Sequence, residues 1–292
     1  MDNCGEMVAL GVATLLGLQV TPSGAVGHHA VRVGKEIFVV GGMNGHDQIR
    51  TTWAFDPVKS TWLARAEWQN SRSFGVAAKH DGKMYVFGGI ASDGNHSNQI
   101  DAYDPVTNKW SAIGMMPETM TRAAGVVWHG KMYLSGGYNG VTDNKSAGNS
   151  ARLWEYDLAN RKWKSLKAMT FPRHGHCMVP FQGRLWAVGG FLNTPGSLTS
   201  VESYDPVRNT WRNEHALPKA RGFFAAAVVG GKLIAFGQLF EPAHPIEWTS
   251  AGWKDRASPD LPIRRFAYVQ DGVSFLIFGG EEKGVPFQMY KP

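Results

Sequence analysis

Met84-Tyr85-Val86-Phe87-Gly88-Gly89 decides the fold of this 292-residue chain, because it is an apolar, β-prone run that ends on two glycines and recurs along the sequence. The other copies of this run end on Gly42, Gly137 and Gly190, and the two weaker copies end on Gln238 and Gly280. Consecutive ends are 47, 48, 53, 48 and 42 residues apart. A period of this length is typical of repeat architectures, so the sequence predicts six repeated units.

An aromatic residue followed by Asp forms the second landmark of each unit, and a Trp follows the aromatic residue by seven positions. The four complete copies are Phe55-Asp56 with Trp62, Tyr103-Asp104 with Trp110, Tyr156-Asp157 with Trp163, and Tyr204-Asp205 with Trp211. In the fifth unit Trp253 is kept, but Ile246-Glu247 occupy the positions expected for the aromatic residue and Asp. The sixth unit stops before any Trp.

Each unit has the pattern of a small four-stranded sheet. In the second unit, four short β-prone runs are separated by the turn-forming segments 80–83 and 104–108. The run before Gly-Gly lacks alternation, which favours a strand buried on both faces. We expect the glycines to lie where a Cβ would clash or where φ is positive. A lone sheet of this size cannot bury its faces, so the units are predicted to pack radially as a β-propeller.

The second unit resembles the kelch repeat in the order of four segments. These are Arg72-Ser73-Phe74-Gly75, residues 82–89, Tyr103-Asp104-Pro105 and Trp110. The resemblance extends from about Gly27 to Pro292. Within the kelch family, the chain is most similar in pattern to the propellers of BTB–kelch and F-box–kelch proteins. It implies an all-β, six-bladed kelch β-propeller with four antiparallel strands in each blade.

A single propeller accounts for residues 1–292, with residues 1–26 as an N-terminal strand and linker. The expected blades are approximately 27–70, 71–120, 121–171, 172–219, 220–262, and 263–292 together with 7–20. The apolar residues 7–20 are expected to supply the missing strand of the last blade, a closure that kelch propellers commonly use. The alternative is a signal peptide, but residues 1–6 carry two acids and no Lys or Arg.

Composition limits the classes of partner. Two cysteines provide no disulfide framework and suit a reducing compartment, so we expect the cytoplasm, with the nucleus as the alternative. A net charge of +6 without a Lys/Arg run does not indicate nucleic-acid binding. The apolar N-terminal run is too short and too rich in glycine to span a membrane.

The histidines are the candidates for metal binding. His174 and His176 lie on the same side of a strand, followed by Cys177, whereas the adjacent His28 and His29 point to opposite faces. Two further metal ligands would have to come from other blades, so we favour histidines that line a polar shaft. Because no phosphate loop, nucleophile elbow or zinc-protease segment is present, we expect no catalysis, no cofactor and no metal. The resemblance leaves a six-bladed sugar mutarotase as the enzyme alternative, closer than the copper oxidases of the family.

The loops after Gly-Gly and the segments that enter each first strand are expected to meet around the shaft, where sequence is free to vary. From the loops we expect ligand contacts by Asn44, Tyr138, Asn139 and Phe191. From the entry segments we expect contacts by Ser73, Arg122, His174, Phe223, Arg264 and Arg265. The mouth would then combine cations, His174 among them, with aromatic rings and amides.

Two registers of arginine occur in the entry segments. Arg72, Arg173 and Arg221 lie ten residues before the hairpin glycine, and we expect them to bind backbone groups within the blades. Arg122 and Arg264 lie only eight residues before it. This shifted position is similar to one from which arginines of substrate-recognising kelch propellers reach acidic ligands, and a planar guanidinium suits a carboxylate or phosphate. A second structural ion pair is the alternative role.

The resemblance implies a non-catalytic module that binds a protein or a short peptide, acidic or phosphorylated, as the substrate-recognition part of a cullin-type ubiquitin-ligase adaptor. A cullin would be contacted only through a BTB or F-box segment, which is not seen within residues 27–292. The alternative is a standalone kelch scaffold that acts on the actin cytoskeleton.

Overall fold

A computed structural model describes residues 26–139, 148–192, 196–237, 244–257, 267–271, 274–278 and 287–290, and these residues form 24 β-strands. Among them there is no helix, and therefore none long and apolar enough to cross a membrane.

The strands follow one another in sheets along the chain. Blade 1 contains β1 (Val26–Val33), β2 (Glu36–Asn44), the short β3 (Asp47–Gln48), β4 (Thr52–Asp56) and β5 (Thr61–Arg65). Blade 2 contains β6 (Val76–His80), β7 (Lys83–Ile90), β8 (His96–Asp104) and β9 (Lys109–Met115). Blade 3 contains β10 (Ala124–Trp128), β11 (Lys131–Ser135), β12 (Leu153–Asp157) and β13 (Lys162–Leu166). Blade 4 contains β14 (Cys177–Phe181), β15 (Arg184–Val188), β16 (Val201–Asp205) and β17 (Thr210–Asn213). Blade 5 contains β18 (Ala225–Val229), β19 (Lys232–Phe236), β20 (Ile246–Thr249) and β21 (Gly252–Asp255). The last sheet contains β22 (Ala267–Asp271), β23 (Ser274–Phe278) and β24 (Phe287–Tyr290).

Each blade is an antiparallel meander in which consecutive strands pair, apart from β3, which pairs only with β2. The prediction of an all-β chain of short antiparallel strands is therefore confirmed. The run before Gly-Gly is always the second strand, and Ile37 to Val40 of β2 are at most 1% exposed. That burial confirms the prediction of a strand covered on both faces.

The prediction of six four-stranded blades is wrong, because the structure shows a five-bladed propeller. Blades 2 to 5 have four strands each and blade 1 has four plus the short β3, whereas the last sheet has three, β22 to β24. The error has a simple cause: Gly-Gly marks the second strand only, so the copy that ends on Gly280 indicates a second strand and not a complete four-stranded blade. The strand expected from residues 7–20 lies outside the described residues.

A cluster of buried apolar side chains lies between each pair of neighbouring sheets. Val40 and Met84 belong to the cluster between blades 1 and 2, for example. The last sheet packs against blade 5 on one side and against blade 1 on the other, where the Phe278 ring lies 6.1 Å from Phe55 and 5.9 Å from Trp62. The sheets therefore surround a common axis.

The aromatic residue and the Trp of each landmark are paired across the third and fourth strands. Tyr103 lies opposite Trp110 with ring centroids 5.2 Å apart, and the Tyr103 ring also lies 5.3 Å from Phe38 of blade 1. The Asp that follows organises the turn: Oδ1 of Asp104 accepts hydrogen bonds from the backbone N–H groups of Val106 and Thr107. These aromatic residues therefore fill the space between neighbouring sheets.

Blade 5 corrects the alignment made from the sequence. Trp248, not Ile246, lies opposite Trp253, and Thr249 takes the place of the Asp, with its Oγ1 accepting from the N–H of Ala251. The turn is thus two residues shorter than in the other blades. The Trp248 ring packs 5.1 Å from Trp186 of blade 4, so the aromatic contact between blades is kept.

The Gly-Gly pair allows one blade to approach the entry segment of the next. A Cβ on Gly88 would lie 2.4 Å from the carbonyl oxygen of Met120, a distance that real side chains do not reach. The N–H of the following Gly89 donates to that same carbonyl at 2.9 Å. Gly136 and Gly137 make the equivalent contact with the carbonyl of Arg173. Both glycines of each pair have positive φ, as predicted.

The arginines of the first register are buried. Arg72 is 1% exposed, donates through Nε to the carbonyl oxygen of Gly88 at 2.7 Å, and forms an ion pair with Asp101 at 2.8 Å. Arg173 forms the same contacts with Gly189 and Glu202, and Arg221 donates to backbone carbonyls of blade 5. These arginines hold the bend that follows each second strand.

Replacing Arg72 by Ala is expected to lower the free energy of unfolding by about 3–5 kcal/mol, because the buried carboxylate of Asp101 loses its ionic partner. Urea denaturation followed by tryptophan fluorescence measures the change. Arg208→Ala is the control, since Arg208 is 77% exposed and pairs with Asp205 at the surface. Equal effects of the two substitutions would contradict the structural role of Arg72.

Candidate functional site

Five equivalent residues form a hydrogen-bonded ring around the mouth of the shaft. They lie at the second register identified in the sequence and are Gly27, Phe74, Arg122, Gly175 and Phe223. Four hydrogen bonds of 2.7 to 2.8 Å join them in sequence, because the N–H groups of Phe74, Arg122, Gly175 and Phe223 each donate to the carbonyl of the preceding member. We call these five residues the mouth ring.

All five residues have left-handed backbone conformations, with φ between 49° and 69°. Glycine adopts this conformation freely, whereas a side chain adds about 1 kcal/mol of strain. Two blades use glycine at this position, and three use Phe74, Arg122 and Phe223. These three residues therefore occupy positions whose backbone conformation favours glycine.

A cavity of about 170 Å³ opens between these side chains. Its upper wall includes Phe74, Arg122, Gly175 and Phe223, and its floor includes His28, His29 and His176. Below it the shaft is lined mainly by apolar residues of the first strands, such as Val126, Met178 and Ala226. The Arg122 guanidinium and the three histidines thus lie at the mouth cavity.

Arg122 lies in the mouth ring of blade 3, and its guanidinium carbon is 4.8 Å from the centre of the Phe74 ring. This separation is within the range of a cation–π contact. Unlike Arg72 and Arg173, Arg122 is only partly buried. The cation is therefore held at the mouth by an aromatic platform and remains accessible from solvent.

His174, Phe191 and Phe223 form an aromatic group beside Arg122. The His174 ring stacks on Phe191 at 5.5 Å and meets Phe223 edge-on at 6.0 Å, and the two phenylalanines are 5.5 Å apart. Phe191 packs onto Gly222, where a Cβ would lie 2.0 Å from its ring. Three of the residues expected at the site from the sequence are thus in mutual contact.

His174 differs from the sequence expectation in its charge. Burial, and secondly the charge of Arg122, lower the pKa of His174 to about 4, so that the ring is neutral at pH 7. Its Nδ1 lies 2.8 Å from Oδ1 of Asn149, an acceptor, and therefore carries the proton. The Asn149 amide is oriented by its Nδ2, which donates to the Phe191 carbonyl at 3.5 Å.

The histidines of the floor are also buried. His176 is bonded through Nε2 to Oγ of Ser135 at 2.8 Å, and His28 through Nε2 to the carbonyl of Phe278 at 2.7 Å. Burial is the largest cause that lowers the pKa of His29, to about 3, and it lowers the pKa of His176 as well. The imidazoles of His29 and His176 are therefore neutral at pH 7.

The other predicted residues lie further from the cavity or outside the described part of the chain. Ser73 is fully buried and pairs with Ile90, and Asn44 lies exposed near the end of the β2–β3 hairpin. The Tyr138 ring lies 5.4 Å from His96, and Asn139 accepts through its carbonyl from Thr119. The residues Arg264 and Arg265 lie outside the described residues.

Sequence reasoning missed His96 and Asn149. His96 begins β8, and Arg122 contributes to lowering its pKa, after the larger effect of burial. Asn149 fixes the orientation of His174. Both residues lie in loops or strand ends without a repeat landmark, so no spacing in the sequence pointed to them.

No group of three or more His, Cys, Asp or Glu side chains that could hold a metal ion occurs among the described residues. Cys177 is buried, its Sγ donates to the carbonyl of Phe224 at 3.2 Å, and burial raises the pKa of its thiol to about 12. It is therefore a packed thiol and not a nucleophile at neutral pH.

Lowering the pH from 6.5 to 4.5 is expected to destabilise the fold. The pKa values of His29 and His174 lie below their unfolded value, so the unfolded chain binds more protons, and stability that is complete above pH 6.5 is lost as the pH falls. Each histidine contributes a slope of about 1.4 kcal/mol per pH unit within this window. Urea denaturation at several pH values measures the slope.

The exposed His46 provides the matched control for this measurement. His29→Leu is expected to reduce the slope, and His46→Gln is expected to leave it unchanged. A free energy of unfolding that is constant between pH 6.5 and 4.5 would contradict the burial of neutral imidazoles in the fold.

Comparison with known proteins identifies curated relatives of part of the chain. Kelch-like protein 35 of Mus musculus is 32% identical over 145 residues, which cover 44% of this chain and 25% of that protein. The F-box/kelch-repeat protein SKIP30 of Arabidopsis thaliana is 27% identical over 115 residues, which cover 38% of this chain and 33% of that protein. The aligned part is thus a quarter to a third of the length of these relatives.

A solved structure described as the structure of YjhT shares the fold, with a TM-score of 0.78 over 93% of this chain and 95% of that one, at 18% identity. The sequence model of the KLHDC2/KLHL20/DRC7 Kelch-repeats domain matches residues 27–238, the part that contains blades 1 to 5 up to the end of β19. The chain belongs to this family of kelch-repeat propellers.

Proposed function

We propose that the chain is a non-catalytic module that binds an acidic or phosphorylated segment of another protein at the mouth of the shaft. Arg122 is the anchor for the acidic group. The observation that carries this proposal is the mouth ring, where a cation and two phenyl rings are kept in a conformation that favours glycine. Strain of this kind is concentrated at functional positions.

The size of the cavity favours a side chain as the occupant. Sites for drug-sized ligands usually have volumes of about 300–1,000 Å³. The cavity at the mouth, at about 170 Å³, is smaller and suits one or two side chains of a peptide that lies across it.

The chemistry of the walls favours an acidic group with an apolar neighbour. Arg122 provides the donors that bind a carboxylate or phosphate in a bidentate manner. Phe223 and Phe74, both partly exposed, provide aromatic surface on either side of it. Arginine and aromatic residues are also the types that dominate the energetics of protein interfaces.

The relatives suggest the setting in which such a module works. They are described as kelch-like and F-box/kelch-repeat proteins and are longer than the aligned region. We infer that the propeller is the substrate-recognition part of a cullin-type ubiquitin-ligase adaptor in the cytoplasm or nucleus. The cullin would then be contacted through a segment other than the propeller.

Selection from a phage-displayed library of random peptides tests the site. Sequences that contain Asp or Glu are expected to be enriched, and the corresponding synthetic peptides should bind Arg122→Gln at least tenfold more weakly in fluorescence anisotropy. Loss of one partner from a desolvated charge pair typically costs about 2–5 kcal/mol.

Two further variants separate binding from folding. Arg122→Gly removes the cation but relieves the left-handed conformation, so its melting temperature should equal or exceed that of Arg122→Ala while both lose the peptide. Arg208→Gln removes an exposed cation in the β16–β17 turn, which is not part of the mouth ring. This variant should bind the peptide like the parent chain. Enrichment without acidic residues, or equal binding to Arg122→Gln, would overturn the proposal.

A further inference from the structure

His174 occupies a position where its charge can respond to a ligand at Arg122. The N–H of Gly175, the next residue, donates to the carbonyl of Arg122 at 2.8 Å, so the two entry segments are joined at this point. The imidazole is only partly buried, in contrast to His29 and His176 of the floor. A proton can therefore reach it from solvent.

The surroundings of the ring define its protonation. Nδ1 donates to Asn149, so the neutral ring keeps its lone pair on Nε2, and added acid would place the proton there. Phe191 stacks on one face of the ring and Phe223 meets it edge-on, and neither carries a charge. Among the described residues, Arg122 is the charged group that acts on His174, and His176 is its titratable neighbour.

We propose that an anionic group bound at Arg122 causes His174 to take up one proton from solvent, so that ligand binding at the mouth tightens as the pH falls. This inference rests on the proposed function, because it assigns a second, proton-dependent contact to the same site. An anion neutralises the repulsion that Arg122 exerts on an imidazolium and adds attraction of its own. The protonated ring keeps its Nδ1 hydrogen bond to Asn149, and its positive charge attracts the anion.

The consequence is selectivity for anions over neutral hydrogen-bonding groups. A neutral amide bound at Arg122 would not reduce the repulsion between Arg122 and a protonated His174, so His174 would stay uncharged. With a carboxylate, phosphate or sulfate group, each unit by which the pKa of His174 rises corresponds to a tenfold gain in affinity at low pH. His174 is thereby a specificity-determining residue of the mouth.

Inorganic sulfate is the probe, because its charge is constant between pH 5 and pH 7.5, so that any pH dependence arises from the protein. Imidazole nitrogens of the ¹⁵N-labelled chain are titrated by NMR with and without sodium sulfate, at ionic strength matched with sodium chloride. Sulfate is expected to raise the pKa of His174 by about one unit from its value of about 4, so the affinity for sulfate is expected to be about twofold greater at pH 5 than at pH 7.5. Circular dichroism confirms that the chain is folded at each pH.

Three variants complete the test. Arg122→Gln should abolish the effect of sulfate on His174. His174→Gln should retain sulfate binding without its pH dependence, and His46→Gln, at an exposed hairpin tip, should behave as the parent chain. Equal sulfate affinity at pH 5 and pH 7.5, or a His174 pKa that sulfate does not change, would overturn the inference. The peptide selection decides the proposed function separately.

Discussion

The contact on which the propeller depends is the hydrogen bond between the second glycine of each pair and a carbonyl of the next entry segment. It forms only because the first glycine has no Cβ, which would otherwise lie 2.3 to 2.5 Å from that carbonyl in blades 1 to 4. The buried arginine of the first register then binds the carbonyl of the first glycine from within its own blade. The close approach of the two backbones and the buried arginine thus hold the same bend at the end of the second strand. The aromatic landmark residues fill the space between the sheets.

This arrangement explains why the fold was readable from the sequence. The glycine pairs, the aromatic–Trp spacing and the Asp turns are each required by a local contact, so each recurs at a constant distance. The number of complete blades was not readable in this way, because the glycine pair is needed by the second strand whether or not a third and fourth follow. Trp248 was missed because a constant spacing of seven assumes a constant turn length, and blade 5 has a shorter turn.

The candidate site was predicted in position more successfully than in chemistry. The offset from the hairpin glycine distinguished Arg122 from Arg72, and the structure places the first at the mouth and the second in the interior. The charge of His174 depends on its burial and on Arg122 of another blade, and neither can be read from the spacing of residues in the sequence. His96 and Asn149 come from segments that vary freely between units, so only the three-dimensional structure associates them with the mouth.

The mouth ring has a consequence for how such proteins diverge. The hydrogen bonds that join its five described members use main-chain atoms alone, and the backbone conformation is left-handed whether the residue is glycine, phenylalanine or arginine. Duplicated repeats can therefore acquire different side chains at this position without a new backbone geometry, and each exchange changes the surface offered to a partner. New ligand preferences would arise by single substitutions at these positions, while the rest of each repeat stays under the constraint of packing.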